Sequence, residues 1–431
     1  MRNVLMVAPC FSPSSYPPSL RNRIFALHLK SFGWNPIILT IEPRYMEGPR
    51  DPIFEKMIPE DLEVVRTQAF PYQLTRKFGI GDVGIRSFLQ QYRMAKRLCQ
   101  ERDISLLFIT NPPWYVSLIG PLIKRKYGIP YVLDYIDPWV CPGERNHFFK
   151  KKFWAEVIAR FLDPIAVKDS SAVISVSKNI NHTIQELYPR FSKKIFEDIP
   201  YGIEQTDFDF ARDNPEKTEY FNPSDRFYHI VYMGAVWKGI FDVLEAVFSA
   251  LKKIKTQHPA CFQKMRWHFI GTSYAVGAAP QVMPLATKFG VEEIVSEIPQ
   301  RISYPSSLNV LTQANLILAL GARDPHYASS KLFSCILAKR PLLAVYYEPS
   351  SALDILRTVK ASTVISFSEE NPVNMKIEEI EKAILRLSQN HDENAFEIDC
   401  QVFEKYSAIN TTKKLADVFD RVLEDARIFK S

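Results

Sequence analysis

In the stretch Tyr327-Ala-Ser-Ser-Lys-Leu-Phe-Ser-Cys-Ile-Leu-Ala-Lys-Arg-Pro-Leu-Leu-Ala-Val345, two serines precede a short helical run, a basic turn and a buried strand. Small polar residues ahead of a helix leave its first backbone N–H groups open to an anion, and Lys331 adds a charge in the first turn. This is the chemistry of a phosphate cradle, with Ser329, Ser330 and Lys331 as its members. Asp137-Pro-Trp139 closes an apolar run. A carboxylate there can orient an acceptor hydroxyl or take its proton, and it can equally cap a turn that Pro138 enforces. Arg21 and Arg23 open the first helical segment behind a Pro/Ser-rich loop. They are placed to meet phosphate or acceptor, or else to lie solvated on the helix surface. His147-Phe-Phe-Lys-Lys-Lys-Phe-Trp154 interleaves aromatics with three lysines. That pattern suits an anionic bilayer surface through Phe148–Trp154, and equally a helix with its rings in the core and its lysines in water.

These residues need elements to hold them. Apolar, β-branched runs at Val4–Ala8, Pro36–Thr40, Leu62–Val65, Leu106–Thr110, Tyr131–Asp134 and Ala172–Val176 predict strands, and segments of helical spacing such as Arg21–Phe32 and Arg86–Arg102 lie between them. The pattern restarts with Tyr228–Met233, Trp267–Ile270, Leu316–Leu320, Pro341–Val345 and Thr363–Ser366. Alternation of apolar strands with helices predicts an α/β protein with parallel sheets covered on both faces. The 431 residues exceed what one core usually serves, so two doubly wound domains are expected. The junction falls near Pro200-Tyr-Gly-Ile203 and the polar stretch after it. This gives residues 1–203, joined by a C-terminal helix 409–431, and residues 204–408.

Composition bounds the function. Hydrophobic residues make up 46% and charged residues 24%, which describes an ordinary globular chain. The net charge of +6 suits sugar nucleotides or anionic lipid, but no base-reading motif argues for nucleic acid. Six cysteines lie far apart with no C-x-x-C pair, so they read as free thiols and not as a zinc site. The N-terminal apolar run is too short for a secretory signal. Leu106–Ile123, the best candidate for a membrane span, is broken by Asn111-Pro112-Pro113. A cytoplasmic protein is expected, with peripheral contact at the inner face of the membrane. Ala8-Pro-Cys-Phe-Ser-Pro13 lacks the G-x-G-x-x-G that a dinucleotide-binding Rossmann enzyme carries after its first strand.

The Lys331-Leu-Phe element, with Ser329 and Ser330 before it, resembles the "S-K-L-F-E-Y-L-A-x-G-K-P-I-L-A" segment of retaining glycosyltransferases of the GT4 type. Further segments resemble the same family in the correct order. They are Tyr16–Thr40, Gly128-Ile-Pro-Tyr-Val-Leu-Asp-Tyr-Ile-Asp-Pro-Trp139, Ser175-Val-Ser-Lys-Asn179, Ile199-Pro-Tyr-Gly-Ile203 and Tyr232-Met-Gly-Ala-Val-Trp-Lys-Gly239. The resemblance implies a GT-B fold, with two Rossmann-like domains facing a cleft. The first would take the acceptor and the second a nucleotide-sugar donor.

By that resemblance Lys238 and Lys331, with Asp137, are the catalytic candidates. Gly234, Gly271, Thr272, Arg301, Tyr327, Ser329, Ser330 and Leu332 belong to the donor site. The family's two acidic donor contacts fall on Ser334 and His326, with Asp324 or Arg323 near enough to compensate. Arg21, Arg23 and Trp139 are the acceptor candidates, and no metal or cofactor is implied. The expected reaction moves a sugar from a nucleotide-diphosphate sugar, with retention, to a hydroxyl of a glycan or lipid-linked acceptor. Two alternatives stay open. A catalytically silent homologue would bind without turnover, and a sugar-nucleotide epimerase would convert the donor with no acceptor.

Overall fold

The computed structural model describes residues 1–48, 50–140, 151–216, 220–275, 277–360, 363–389 and 398–428. Its backbone divides into two compact units, Met1–Gly202 with Ala408–Ser431, and Ile203–Ser407.

The first unit holds a seven-stranded parallel sheet of β1 (Arg2–Val7), β2 (Trp34–Ile41), β3 (Glu63–Thr67), β4 (Ile104–Asn111), β5 (Tyr131–Tyr135), β6 (Ala172–Ser175) and β7 (Ile195–Asp198). Their order across the sheet is β3-β2-β1-β4-β5-β6-β7. The second unit holds β8 (Tyr228–Met233), β9 (Met265–Ile270), β10 (Val295–Ile298), β11 (Leu316–Leu320), β12 (Leu342–Tyr347) and β13 (Thr363–Phe367), ordered β10-β9-β8-β11-β12-β13 and again parallel. Inner strands carry continuous buried apolar runs, Val4–Val7 in β1, Leu106–Ile109 in β4 and all of β11, because helices cover both faces. The edge strands β7 and β10, Ile-Phe-Glu-Asp and Val-Ser-Glu-Ile, are not predicted from sequence. An edge strand needs no continuous apolar run, and theirs are four residues long and carry acids.

Eight helices matter below: α1 (Pro17–His28), α2 (Val83–Glu101), α3 (Ile119–Tyr127), α4 (Lys151–Lys168), α5 (Lys238–Gln257), α6 (Val282–Phe289), α7 (Lys331–Leu337) and α8 (Ala408–Ile428). In the first unit the two faces of the sheet are told apart by β5. Val132 joins the core under α1 and α8, where Trp34 and Phe108 close on Phe419 with ring centroids 5.1 and 5.6 Å away. Its neighbours Tyr131 and Tyr135 face α3 and α4 instead. The Tyr131 hydroxyl donates to the Ala166 carbonyl at 2.6 Å, and a Cβ on Gly120 would lie 2.5 Å from the Tyr131 ring. Leu106–Ile123 resolves into β4, a turn and the start of α3, and no helix among the described residues is long and apolar enough to cross a membrane.

In each sheet the strand order reverses beside the first strand, between β1 and β4 and between β8 and β11. Loops leaving the carboxyl ends at such a switch point are where doubly wound sheets hold ligands.

Candidate functional site

Four loops leave the carboxyl ends of β8, β9, β10 and β11 in the second unit, and they bring Gly234, Gly271, Arg301 and Lys331 together. Lys331 is the first residue of α7, and its side chain runs back over the β8 loop. A Cβ on Gly234 would lie 2.2 Å from Lys331 Nζ, so the ammonium occupies the space that only glycine leaves. Gly234 also has φ +146°, in the region that favours glycine. Arg301 packs its Cδ against Gly271, 3.6 Å from where a Cβ would stand, and lays its guanidinium over Tyr274 at 4.9 Å.

The electrostatics of this corner are one-sided. Burial drives the Lys331 ammonium well below its ordinary pKa, and the Arg301 charge lowers it further. Only the Cys335 thiol acts in the opposite sense, and burial pushes that thiol up to about 12. Among the described residues no carboxylate answers either cation. Two cations converging without a counter-charge make a place for an anion.

Beside them, α5 begins at Lys238. Its N-cap, Trp237, makes no side-chain capping bond, and no acid occupies the first turn. The first amides of this 20-residue helix are therefore not spent on a side-chain cap, and the dipole adds positive potential there. Lys238 is exposed. Trp237 reaches across to Tyr327, ring centroids 6.4 Å apart, tying the β8 loop to the loop before α7.

Other expected residues take local roles. Thr272 is fully buried, and its hydroxyl donates to Glu297 Oε1 at 2.5 Å. Glu297 in turn accepts the amides of Gln281, Val282 and Met283 and so caps α6. The Thr272 carbonyl accepts the Val236 amide at 2.8 Å, so Thr272 is taken up inside the fold. Leu332 is a core side chain, and Ser334 is buried on the inner side of α7. Asp324 accepts the His326 amide at 2.8 Å, and its contacts with His326 hold its carboxyl below the usual range. Arg323 forms an ion pair with Glu369. Ser330 stands at the N-cap of α7 in a helical conformation without a side-chain cap bond, and Ser329 hydrogen-bonds the buried Tyr346.

Two of the three acceptor candidates, Arg21 and Arg23, need correction. Arg21 is 2% exposed and forks onto Asp134 with Nε–Oδ2 2.8 Å and Nη2–Oδ1 2.9 Å. Its Nη1 donates to the Pro200 carbonyl at 3.2 Å. That guanidinium is spent on holding α1 to β5, and a bidentate pair of this kind is not open to a ligand. Arg23 is equally buried, its guanidinium over the Phe54 ring at 5.4 Å. Neither is a solvated surface arginine. Asp137 is exposed just past β5, and its carbonyl accepts the Trp114 indole N–H at 3.4 Å. Trp139 is half-buried and meets Tyr115 edge-on at 5.3 Å. Of the basic aromatic segment 147–154, residues 147–150 lie outside the described residues.

Sequence reasoning missed Tyr274 beneath Arg301 and Trp237 against Tyr327. No spacing rule marks Tyr274. Trp237 was visible as the residue preceding Lys238.

No family model matches the chain, and no curated protein does. Solved structures do. Sucrose-phosphate synthase from Thermosynechococcus elongatus aligns over 100% of this chain and 98% of its own, with 11% identity and a TM-score of 0.60. An E. coli trehalose-6-phosphate structure bound with UDP-2-fluoro glucose aligns over 99% and 98%, with 10% identity and a TM-score of 0.59. The UDP-forming α,α-trehalose-phosphate synthase from Burkholderia xenovorans, in complex with glucose-6-phosphate, aligns over 97% and 100%, with 8% identity and a TM-score of 0.64. At such identities the likeness gives the fold, which is GT-B: two Rossmann-like domains, each built on a parallel sheet.

Proposed function

We propose that this protein transfers a sugar from a nucleoside-diphosphate sugar to a hydroxyl acceptor, the donor phosphates lying against Lys331, Arg301 and the start of α5. The carrying observation is the pair of cations packed on Gly234 and Gly271 with no acid among the described residues to neutralise them. When the glycosidic bond breaks, negative charge builds on the departing diphosphate. Fixed cations and helix amides already aimed at that charge stabilise the transition state without reorganising. Lys238, exposed in the first turn of α5, adds a further charge beside them. The GT-B neighbours crystallised with UDP-2-fluoro glucose and with glucose-6-phosphate support this class of donor and a hydroxyl-bearing acceptor. Following the GT4-type resemblance, we assign retention of configuration and a glycan or lipid-linked acceptor. Asp137, exposed after β5, is the acceptor-side group in this reading.

A second reading, a silent homologue that binds without turnover, is favoured by one observation. Ser334 takes the place of the acid expected on the ribose, and it is buried. Thermal stabilisation by a panel of nucleoside diphosphates and sugar nucleotides, run on wild type and Lys331→Ala, tests the binding site. The expected result is a shift with one nucleotide family that the variant loses. No shift with any member removes the donor assignment. Among ligands that bind, product formation with acceptor separates the transferase from the silent homologue, and donor conversion without acceptor identifies an epimerase.

A further inference from the structure

Helix α4 is amphipathic with its faces reversed. Ala159, Asp163, Ala166 and Val167 point inward and are buried, while Val157, Ile158, Phe161 and Ile165 stand outside at 42%, 43%, 71% and 42% exposure. At about 100° per residue those four side chains fall in a single stripe. The largest apolar residues of the helix thus face outward, and Trp154, half exposed, extends the stripe by a turn. Large apolar residues gathered on one face mark an interaction surface, whereas scattered ones do not.

The neighbours of α4 supply the charge. Helix α3 packs against both α2 and α4, and Leu89 and Leu122 on those neighbours are exposed. Leaving aside residues 151–152 and the buried Arg86 and Asp163, the three helices carry eight lysines and arginines against two acids, a net charge of +6, as large as that of the whole chain. Arg93, Arg125 and Lys126 are among the exposed ones. Helix α8, on the opposite face of the same sheet, balances four basic residues with four acids. The excess is therefore local to the layer that also presents the apolar stripe.

We infer that the outer face of α2, α3 and α4 rests on an acidic phospholipid bilayer. The α4 stripe would lie among the headgroups parallel to the surface, with the flanking arginines and lysines over lipid phosphates. A bilayer meets both features at once, since it offers negative surface potential and an apolar layer a few ångströms beneath it. This deepens the lipid-linked acceptor of the proposed function and rests on that reading only for its purpose, because binding can be measured without turnover.

The test is co-sedimentation with vesicles of phosphatidylcholine alone and of phosphatidylcholine mixed with phosphatidylglycerol. The expected result is capture by the mixed vesicles only, weakened by salt. Capture should fall about tenfold or more in Ile158→Glu/Phe161→Glu and in Arg93→Glu/Arg125→Glu/Lys126→Glu. Both variants should keep the wild-type melting temperature and nucleotide response, which separates this test from failure of the donor site. Capture by neither vesicle, or by both alike, overturns the inference. So does a wild-type dimer in solution that Ile158→Glu/Phe161→Glu dissociates, because a second copy would then cover the stripe.

Discussion

At the scale of single residues, Lys331 and Arg21 illustrate two fates of a cation drawn into the fold. Arg21 meets Asp134 in a fork and is neutralised inside the fold. Lys331 lies against Gly234 with the Arg301 charge beside it and no carboxylate among the described residues to answer it, so burial and then the guanidinium shift it toward its neutral form. A diphosphate placed beside it reverses the balance and favours the ammonium. Binding should therefore take up a proton over the pH window between the lowered pKa of the empty site and the higher one of the complex. Affinity should fall as pH rises through that window. Calorimetric titration of UDP over an alkaline pH series, in two buffers of different ionisation enthalpy, reads this directly. Heats that differ between buffers in wild type within that series and agree in Lys331→Met are expected. Equal heats in both proteins at every pH would mean that UDP binding leaves the Lys331 proton unchanged.

At the scale of elements, α4 is joined to the sheet by a carboxyl group that two tyrosines hold. The Tyr135 hydroxyl of β5 donates to Asp163 Oδ1 at 2.5 Å, and the Tyr188 hydroxyl donates to Oδ2 at 2.9 Å. Burial outweighs both bonds and raises the Asp163 carboxyl from 3.8 to about 6. The folded state thus holds this proton more tightly than the unfolded chain does. The resulting stabilisation is complete below about 3.8 and is lost as pH rises to about 6, beyond which it no longer changes. At 1.36 kcal/mol per pH unit the difference amounts to roughly 3 kcal/mol. Asp163→Asn keeps a neutral group between the two tyrosines. The difference in urea-unfolding free energy between variant and wild type should grow in the variant's favour from about pH 4 to 6 and then level off. A flat difference would mean that Asp163 keeps its ordinary acidity.

The same elements mark what was legible in the sequence. The inner strands were readable because burial on both faces favours apolar runs, most completely in Leu-Ile-Leu-Ala-Leu of β11. The edge strands β7 and β10 escaped because half of that constraint is absent. Lys331 and Gly234 were legible as members of short motifs whose order along the chain is preserved. The burial of Arg21 was not, since its partner Asp134 lies 113 residues away and no spacing rule spans that distance. The α4 stripe was hidden for a related reason. The segment ending at Trp154 could be read either as a bilayer-facing surface or as a helix with its rings in the core, and only the sheet shows which side of the helix is covered.

At the scale of the whole molecule, the chain leaves the first unit at Gly202 and returns to it at Ala408. The returning helix α8 is part of that unit's core. Leu415, Val418, Phe419 and Val422 are buried with Trp34 and Phe108, and Phe419 is fully covered. The phosphate-site candidates lie wholly in the second unit, so damage to α8 should separate the two. Phe419→Ala opens a cavity where three rings meet and should cost about 3–5 kcal/mol in the first unit. Calorimetric unfolding should then resolve two transitions. The lower one moves down with the variant. The other keeps its midpoint and still shifts with nucleotide. A single transition that falls as a whole, taking nucleotide binding with it, would show that the second unit depends on the first for its stability, and that the returning helix holds both.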